Sequence, residues 1–118
     1  MTSRSEKWSE RPLHVAPCDH KAARFAVERY HYSRRMPAGK TVKLGVWERG
    51  SFRGAIVYAC GPGPNIAKPF GVSQMEVCEL SRVALREHAV FVSSCIRHSL
   101  SELRKLCPGL RLVVSFAD

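Results

Sequence analysis

The stretch Glu76-Val-Cys-Glu-Leu-Ser-Arg-Val-Ala-Leu85 determines how the rest of the chain can be arranged. It reads as a strand, and strict alternation predicts two faces. One face would carry Val77, Glu79, Ser81 and Val83, and the other would carry Cys78, Leu80, Arg82 and Ala84. An arginine and two acids are costly inside a sheet unless they have partners or a task. We therefore expect the functional site at this strand.

The residues that follow this strand predict a place where anions bind. Ser93 or Ser94 is expected to cap a helix over 93–107, because Ile96, Leu100, Leu103 and Leu106 recur at helical spacing. Free backbone N–H groups and the positive end of the helix dipole would then lie at the C-terminal edge of the strand. Phosphates and polarised carbonyls bind at such places, which makes Ser93 and Ser94 candidate cofactor-binding residues.

The other elements predict an α+β fold. Asp19 is a good N-cap for a helix over 19–31, and strand-like segments at 42–47 and 52–59 flank a turn at 48–51. Residues 66–74 are expected to form a loop. A last strand over 110–116 follows Cys107-Pro-Gly109. Strand, helix and strand predict a right-handed crossover, with strands 76–85 and 110–116 parallel or splayed apart at one end. The mixed sheet thus combines an N-terminal helix, a hairpin and a strand–helix–strand unit. Residues 1–12 are expected to be a flexible arm and residues 13–118 one domain.

Composition points to a polyanionic partner. The 118 residues include 19 Lys and Arg against 10 Asp and Glu, a formal charge of +9, and nucleic acid is the first candidate for such a partner. The alternative is a basic but solvated surface, because the Lys and Arg residues are dispersed. No apolar run approaches the ~18 residues of a membrane span, and no C-x-x-C pair occurs among five cysteines. A cytoplasmic protein with reduced thiols is expected. No metal is expected either, because the spacing of His14, Cys18 and His20 matches no zinc pattern.

Five short motifs, taken in order, resemble one family. They are His31-Tyr-Ser33, the hairpin with Gly54-Ala-Ile56, Glu79-Leu-Ser-Arg82, the helix begun at Ser93-Ser94, and Ser115-Phe-Ala-Asp118. In this order and spacing they resemble the Mom family of bacteriophage DNA-modification proteins, from about residue 30 to the end of the chain. The resemblance implies a GNAT-like acyltransferase fold. It also implies conversion of adenine in DNA to an N6-carbamoylmethyl derivative, which shields phage DNA from host restriction enzymes.

The sequence departs from the GNAT and Mom patterns at two points. GNAT enzymes carry a glycine-rich turn that holds the coenzyme A pyrophosphate, whereas residues 86–92 contain no glycine. An acyl-CoA-type donor is therefore implied only by fold analogy, and the cofactor stays unknown. Mom-like proteins also continue past the Ser-x-Ala-Asp segment. The chain is thus expected to be an incomplete form, with its activity left open. Strand 110–116 would keep an unpaired edge that favours self-association.

The candidate catalytic residues are His31, Tyr32, Arg82 and Asp118. Adenine N6 is a poor nucleophile, and a histidine that titrates near neutrality suits removal of its proton. Arg82 could clamp a phosphate or the carbonyl of the donor, or could instead form a structural ion pair with Glu79 or Glu76. Asp118 could be a second base, a metal ligand, or only a charged terminus.

The candidate DNA-binding residues are Tyr30, Ser33, Arg34, Arg35 and Lys40. Arg34, Arg35 and Lys40 form the densest basic patch, which suits phosphate positioning. Tyr30 or Tyr32 could stack on a flipped base, or the tyrosines could simply pack on the hairpin. Two other functions stay open at this point: a conventional GNAT N-acetyltransferase acting on a protein or small amine, and a basic DNA-binding module without catalysis.

Overall fold

The computed structural model describes residues 12–61 and 64–116. The arm expected over 1–12 lies outside these residues, apart from Pro12, and so does Asp118. The elements are β1 His14–Pro17, α1 His20–Tyr30, β2 Thr41–Glu48, β3 Ser51–Cys60, α2 Pro64–Ala67, β4 Val77–Leu85, α3 Val92–Leu106 and β5 Leu112–Ser115. Within the described ranges, no helix is both long and apolar enough to cross a membrane.

The five strands form one mixed sheet in the order β1-β2-β3-β4-β5. All neighbours are antiparallel except β4 and β5, which pair in parallel. The predicted α+β class, the hairpin and the parallel pairing are therefore confirmed. β1 was not predicted, because four residues that end at Pro17 are too short to establish a period. The predicted loop at 66–74 instead contains helical turns, including Lys68–Phe70 and the start of Gln74–Glu76.

Local signals account for α1 and the hairpin. The Asp19 carboxylate accepts a hydrogen bond from the Ala22 N–H at 2.7 Å, as an N-cap does. The β2–β3 turn consists of Arg49 and Gly50, both at positive φ (47° and 85°), which is the pattern of a two-residue type I′ turn. Both features were predicted within one or two residues.

The two long helices cover opposite faces of the sheet. α1 buries Ala23, Ala26 and Val27 against Ala55, Val57 and Ala84. α3 buries Cys95 and Leu103 on the other face, in a core with Leu44, Val46, Ile56, Tyr58 and Cys78. Because the α1 layer consists mainly of alanines, the helix lies close to the strands. Its last residue, Tyr30, lies next to residues of β4 and β5.

β4 departs from the strict alternation that its sequence predicts. Tyr58 pairs with Leu80 while the preceding Val57 pairs with Arg82, so Ser81 is the extra residue of a β-bulge. Cys78 and Leu80 consequently pack on the α3 side. Arg82 lies opposite Val57 and shares the α1 side with Ala84. The predicted grouping of Cys78, Leu80, Arg82 and Ala84 on one face is wrong, because an inserted residue reverses every side chain beyond it.

The start of α3 also differs from the prediction. The helix begins at Val92 with Phe91 as its N-cap residue, and no side chain caps it. The backbone N–H groups of Ser94 and Cys95 bond to the Phe91 carbonyl, at 3.0 and 3.2 Å. The expectation that Ser93 or Ser94 caps this helix is therefore wrong. The predicted end is correct, since the last residue is Leu106 and Cys107 follows as the C-cap.

A buried hydroxyl pair joins α3 to the sheet and yields a stability prediction. Ser99 Oγ donates to the Ile96 carbonyl, so the Tyr58 hydroxyl, 2.7 Å away, donates to Ser99. Both residues are fully buried. We expect Ser99→Ala to lower the free energy of unfolding by about 1–3 kcal/mol, because it leaves a buried O–H without an acceptor. Tyr58→Phe should cost less, about 0.5–1.5 kcal/mol, because Ser99 keeps its own acceptor. Urea unfolding of both variants checks the order, and a larger cost for Tyr58→Phe would contradict it.

Candidate functional site

A cavity of about 490 Å³ lies where the end of α1 meets β4 and β5. We call it the site cavity. It is lined by Tyr30, His31, Tyr32, Leu80, Ser81, Arg82, Val83, Ser115 and Phe116. Three predicted catalytic residues, His31, Tyr32 and Arg82, are thus brought together from segments that are about fifty residues apart. A larger cavity of about 770 Å³ lies elsewhere, but its lining is mostly apolar and contains none of these three residues.

The orientation of His31 is fixed by its own turn. His31 is the C-cap of α1, and its N–H bonds to the Val27 carbonyl. The Ser33 backbone N–H donates to His31 Nδ1 at 3.1 Å, and Ser33 Oγ lies 2.8 Å from the same nitrogen. Because Nδ1 accepts a backbone N–H, the neutral ring carries its proton on Nε2. Neutral His31 is therefore arranged to donate a hydrogen bond from Nε2.

Arg82 binds the loop that carries His31. Its Nε donates to the Arg35 carbonyl at 2.8 Å. One terminal nitrogen, Nη1, donates to the Ser81 carbonyl and hydroxyl, at 3.0 and 3.1 Å. Among the described residues, the other terminal nitrogen, Nη2, has no protein hydrogen bond. The sequence left open a structural ion pair of Arg82 with Glu79 or Glu76, and this pair is not formed. Arg82 instead binds oxygens of Arg35 and Ser81. Glu76 lies 3.9 Å from Arg111.

Aromatic rings form much of the cavity wall. The His31 and Tyr32 rings stack, with centroids 4.5 Å apart. Tyr32 is 71% exposed, which leaves its other face open to solvent. Tyr30 is held by Phe25 in an edge contact at 6.0 Å and by the Arg86 guanidinium, 5.4 Å above its ring. The open aromatic face suits stacking with a planar ring.

Two N–H groups of the loop between β4 and α3 are already occupied by a carboxylate of the protein. The buried Glu48 carboxylate accepts bonds from the N–H groups of Ala89, at 2.8 and 3.0 Å, and of Val90, at 2.7 Å. Arg53 lies 3.4 Å from the same carboxylate. Burial opposes ionisation of Glu48, but the Val90 and Ala89 bonds and the charge of Arg53 hold its pKa below the usual value. A side chain of the protein therefore already fills this anion position.

The remaining predicted site residues lie in different places. Ser33 orients His31, while Arg34 and Arg35 line a separate groove beside α1. Lys40 lies in the larger apolar cavity, so the three basic residues do not form one patch. Neither Ser93 nor Ser94 lines the site cavity.

Sequence analysis missed several residues of this region. Ser115 and Phe116 line the cavity and could have been chosen, because they belong to the Ser-Phe-Ala-Asp motif. Ser81 and Glu48 gave no local signal. The role of Ser81 depends on how β3 pairs with β4. The role of Glu48 depends on its contact with Ala89 and Val90, which follow it by 41 and 42 positions in the chain.

No cysteine of the described residues lines the site cavity. Burial, with Cys60 nearby, raises the pKa of Cys78 to about 12, and burial beside Asp19 raises that of Cys18 to about 11. These thiols stay protonated near neutral pH and are poor nucleophiles. In the part of the chain that the structure describes, no three His, Cys, Asp or Glu residues are grouped to hold a metal ion.

The fold and the site cavity together define a small basic α+β protein with an aromatic site that contains arginine and histidine. A family model for the Mom protein family matches residues 12–118, and the chain belongs to that family. Membership makes it a DNA-modification protein of the bacteriophage type, with a substrate related to DNA. No curated protein matches the chain.

Glu48 gives a testable consequence for stability. Because the pKa of Glu48 is lower in the folded protein than its ordinary value of 4.5, the ionised carboxylate stabilises the fold above pH 4.5. This stabilisation is lost as the pH falls through the folded-state pKa. We expect Glu48→Gln to lower the free energy of unfolding by about 1–3 kcal/mol at pH 7. The amide oxygen can accept both loop N–H groups, but the amide NH₂ must then face the Arg53 guanidinium where a carboxylate oxygen lay before. The difference from wild type should shrink below about pH 4.

Denaturant unfolding at several pH values measures this effect. Glu102→Gln is the control, since Glu102 pairs with Lys105 on the surface of α3, and it should change stability by less than about 0.5 kcal/mol. A loss for Glu48→Gln that is equal at pH 7 and pH 3 would show that the charge of Glu48 has no role.

Proposed function

We propose that the protein is a transferase that modifies adenine at N6 in DNA, with a carbamoylmethyl-type product and a GNAT-like core. The observation that carries the proposal is the site cavity itself. It gathers His31, Tyr32 and Arg82 beside an exposed aromatic face, in a chain of the Mom protein family. A base inside a duplex cannot enter such a cavity, so the target adenine must be flipped out of the stack. Tyr32 would then stack on the flipped base.

The reaction requires a new bond from N6 to a carbon of the donor. As that bond forms, the bond from the carbon to its leaving group breaks, and N6 loses a proton to a base. The bonds at Nδ1 fix the orientation of the His31 ring, and we assign His31 the role of polarising a carbonyl oxygen of the incoming group. The base would then be another group, and Asp118 is our candidate because it follows the cavity-lining Phe116 by two residues in the sequence.

Arg82 contributes through position and charge. Its bonds to Arg35 and Ser81 hold the guanidinium still, and Nη2 is left to bind a carbonyl or phosphate oxygen of the donor. A lysine would retain the charge, but its single ammonium group could not bind the Arg35 and Ser81 oxygens and an oxygen of the donor in the same planar arrangement.

The donor is not a conventional acyl-CoA bound at the β4–α3 loop. The N–H groups of Ala89 and Val90 already bind Glu48, so a pyrophosphate would have to displace a buried carboxylate. This observation disfavours the conventional N-acetyltransferase. We propose that the donor reaches the site cavity from its open side, next to Tyr32.

Activity in cells tests the proposal directly. DNA from cells that express the protein should contain a modified adenosine when its nucleosides are analysed by mass spectrometry. Arg82→Lys should reduce that product by at least about tenfold, because one lost charged hydrogen bond is worth roughly 1.5–3 kcal/mol. Arg104→Lys, the same change at an exposed position on α3, is the matched control. A protein that binds DNA but yields no modified adenosine would favour the non-catalytic module.

DNA binding by Arg34 and Arg35 is tested separately. Replacing both by Ala should weaken binding to duplex DNA of any sequence. It should also flatten the salt dependence by about two phosphate contacts, that is, by about 1.8 in the slope of log K against log salt. Filter binding over a range of salt concentrations measures the slope. An unchanged slope would assign this pair to a solvated surface.

A further inference from the structure

A groove of about 340 Å³ lies on the other side of the loop that carries His31. We call it the α1 groove. It is lined by His20, Arg24, Glu28, Arg34, Arg35 and Met36. Arg34 and Arg35 were chosen from the sequence, whereas His20, Arg24 and Glu28 reach the groove only because α1 packs beside the 31–36 loop. This loop forms a common wall, because the Arg35 carbonyl binds Arg82 at the site cavity.

The helix contributes an evenly spaced stripe to the α1 groove. His20, Arg24 and Glu28 follow one another at intervals of four residues, so they lie on one face of α1. From His20 to Glu28 the stripe is about 12 Å long. That length corresponds to the axial rise of about three to four nucleotides in one strand of a duplex. Successive phosphates lie farther apart along the strand than this axial rise, so the groove has the size to follow two or three of them.

The loop side of the α1 groove is held in shape. The Arg34 N–H bonds to the His31 carbonyl at 3.1 Å, and Arg34 has a φ of 54°. The Arg35 N–H bonds to Ser33 Oγ at 3.3 Å. A turn held in this way directs two successive arginines into one groove. Because the backbone of this turn is already fixed, binding has to order only the two side chains.

The charges in the α1 groove are three guanidinium groups and one carboxylate. The carboxylate of Glu28 accepts from Arg24 Nε at 2.8 Å, and the two side chains are 47% and 62% exposed. An exposed ion pair of this kind contributes little to stability. A phosphate oxygen can therefore replace the Glu28 carboxylate at Arg24 with a small loss.

We propose that the α1 groove binds the phosphodiester backbone of duplex DNA, with Arg24 as a phosphate contact beyond Arg34 and Arg35. Glu28 acts there as an internal competitor that occupies Arg24 when DNA is absent. The inference rests on the proposed function, because it assigns the surface that carries the DNA while a base enters the site cavity. A strand held in the α1 groove needs only to pass the 31–36 loop to present a flipped base to Tyr32.

Two single substitutions with opposite expected effects test this surface. Arg24→Ala should weaken binding of a duplex oligonucleotide and reduce the salt slope by about 0.9, which is one phosphate contact. Glu28→Gln should strengthen binding by roughly two- to fivefold, because Arg24 then has no ion pair with residue 28 to break before it binds a phosphate. Both side chains are exposed, so the fold should tolerate both changes, and thermal unfolding verifies that.

The surface pair on α3 provides charge-matched controls. Lys105 and Glu102 lie 3.1 Å apart, on a helix that packs against the opposite face of the sheet. Lys105→Ala and Glu102→Gln change the net charge by the same amounts as Arg24→Ala and Glu28→Gln. If DNA lies in the α1 groove, the α3 variants should change affinity much less than the α1 variants do. Equal effects at the two helices would overturn the proposal, because only the net charge would then matter.

The double variant of Arg34 and Arg35 separates the inference from the function on which it rests. If that variant flattens the salt slope and Arg24→Ala does not, only the role of Arg24 is wrong. If the wild-type protein shows no salt-dependent binding to duplex DNA, the DNA-binding part of the proposed function and the inference both fail.

Discussion

The β-bulge at Ser81 is the constraint on which the site depends. Without it, Arg82 would share a face with Cys78 and Leu80 and would point into the core beneath α3. The extra residue moves Arg82 to the side of α1, where its guanidinium reaches the Arg35 carbonyl. An arginine in the α3 core would leave a buried charge without a partner, so the bulge also removes a large energetic cost. One inserted residue thus serves both stability and the geometry of the site cavity.

The loop over residues 31–36 links the two sides of the functional region. Its carbonyl at Arg35 binds Arg82, and Ser33 orients His31 on the same short segment. The side chains of Arg34 and Arg35 face the α1 groove on the opposite side. A phosphate in the groove and a base in the cavity would therefore contact the same rigid turn. Through this turn, the position of the DNA backbone in the groove would set the position of the base in the cavity, without a large motion of the loop.

Glu48 changes how the loop after β4 should be interpreted. A strand followed by a loop and a helix favours anion binding, and here the anion is a carboxylate of the protein. Glu48 ends β2, so it also ties the hairpin to the residues that lead into α3. The loop keeps its shape without a glycine-rich sequence because this side chain satisfies its N–H groups. A role in holding the sheet against α3 explains the arrangement better than a role in binding a nucleotide-linked donor.

Interactions between residues close in the chain allowed the sequence alone to determine much of the secondary structure of this protein. The Asp19 cap, the Arg49-Gly50 turn, the helical stripe of α3 and the parallel β4–β5 pair all follow from nearby residues, and the motif order indicated the Mom family. Of the predicted catalytic residues, His31, Tyr32 and Arg82 line one cavity, and their roles stay predictions. The bulge at Ser81, the partner of Glu48 and the meeting of Arg24 with Arg34 were decided only by tertiary structure. Each depends on pairing or packing between distant segments, and the local sequence does not specify those contacts.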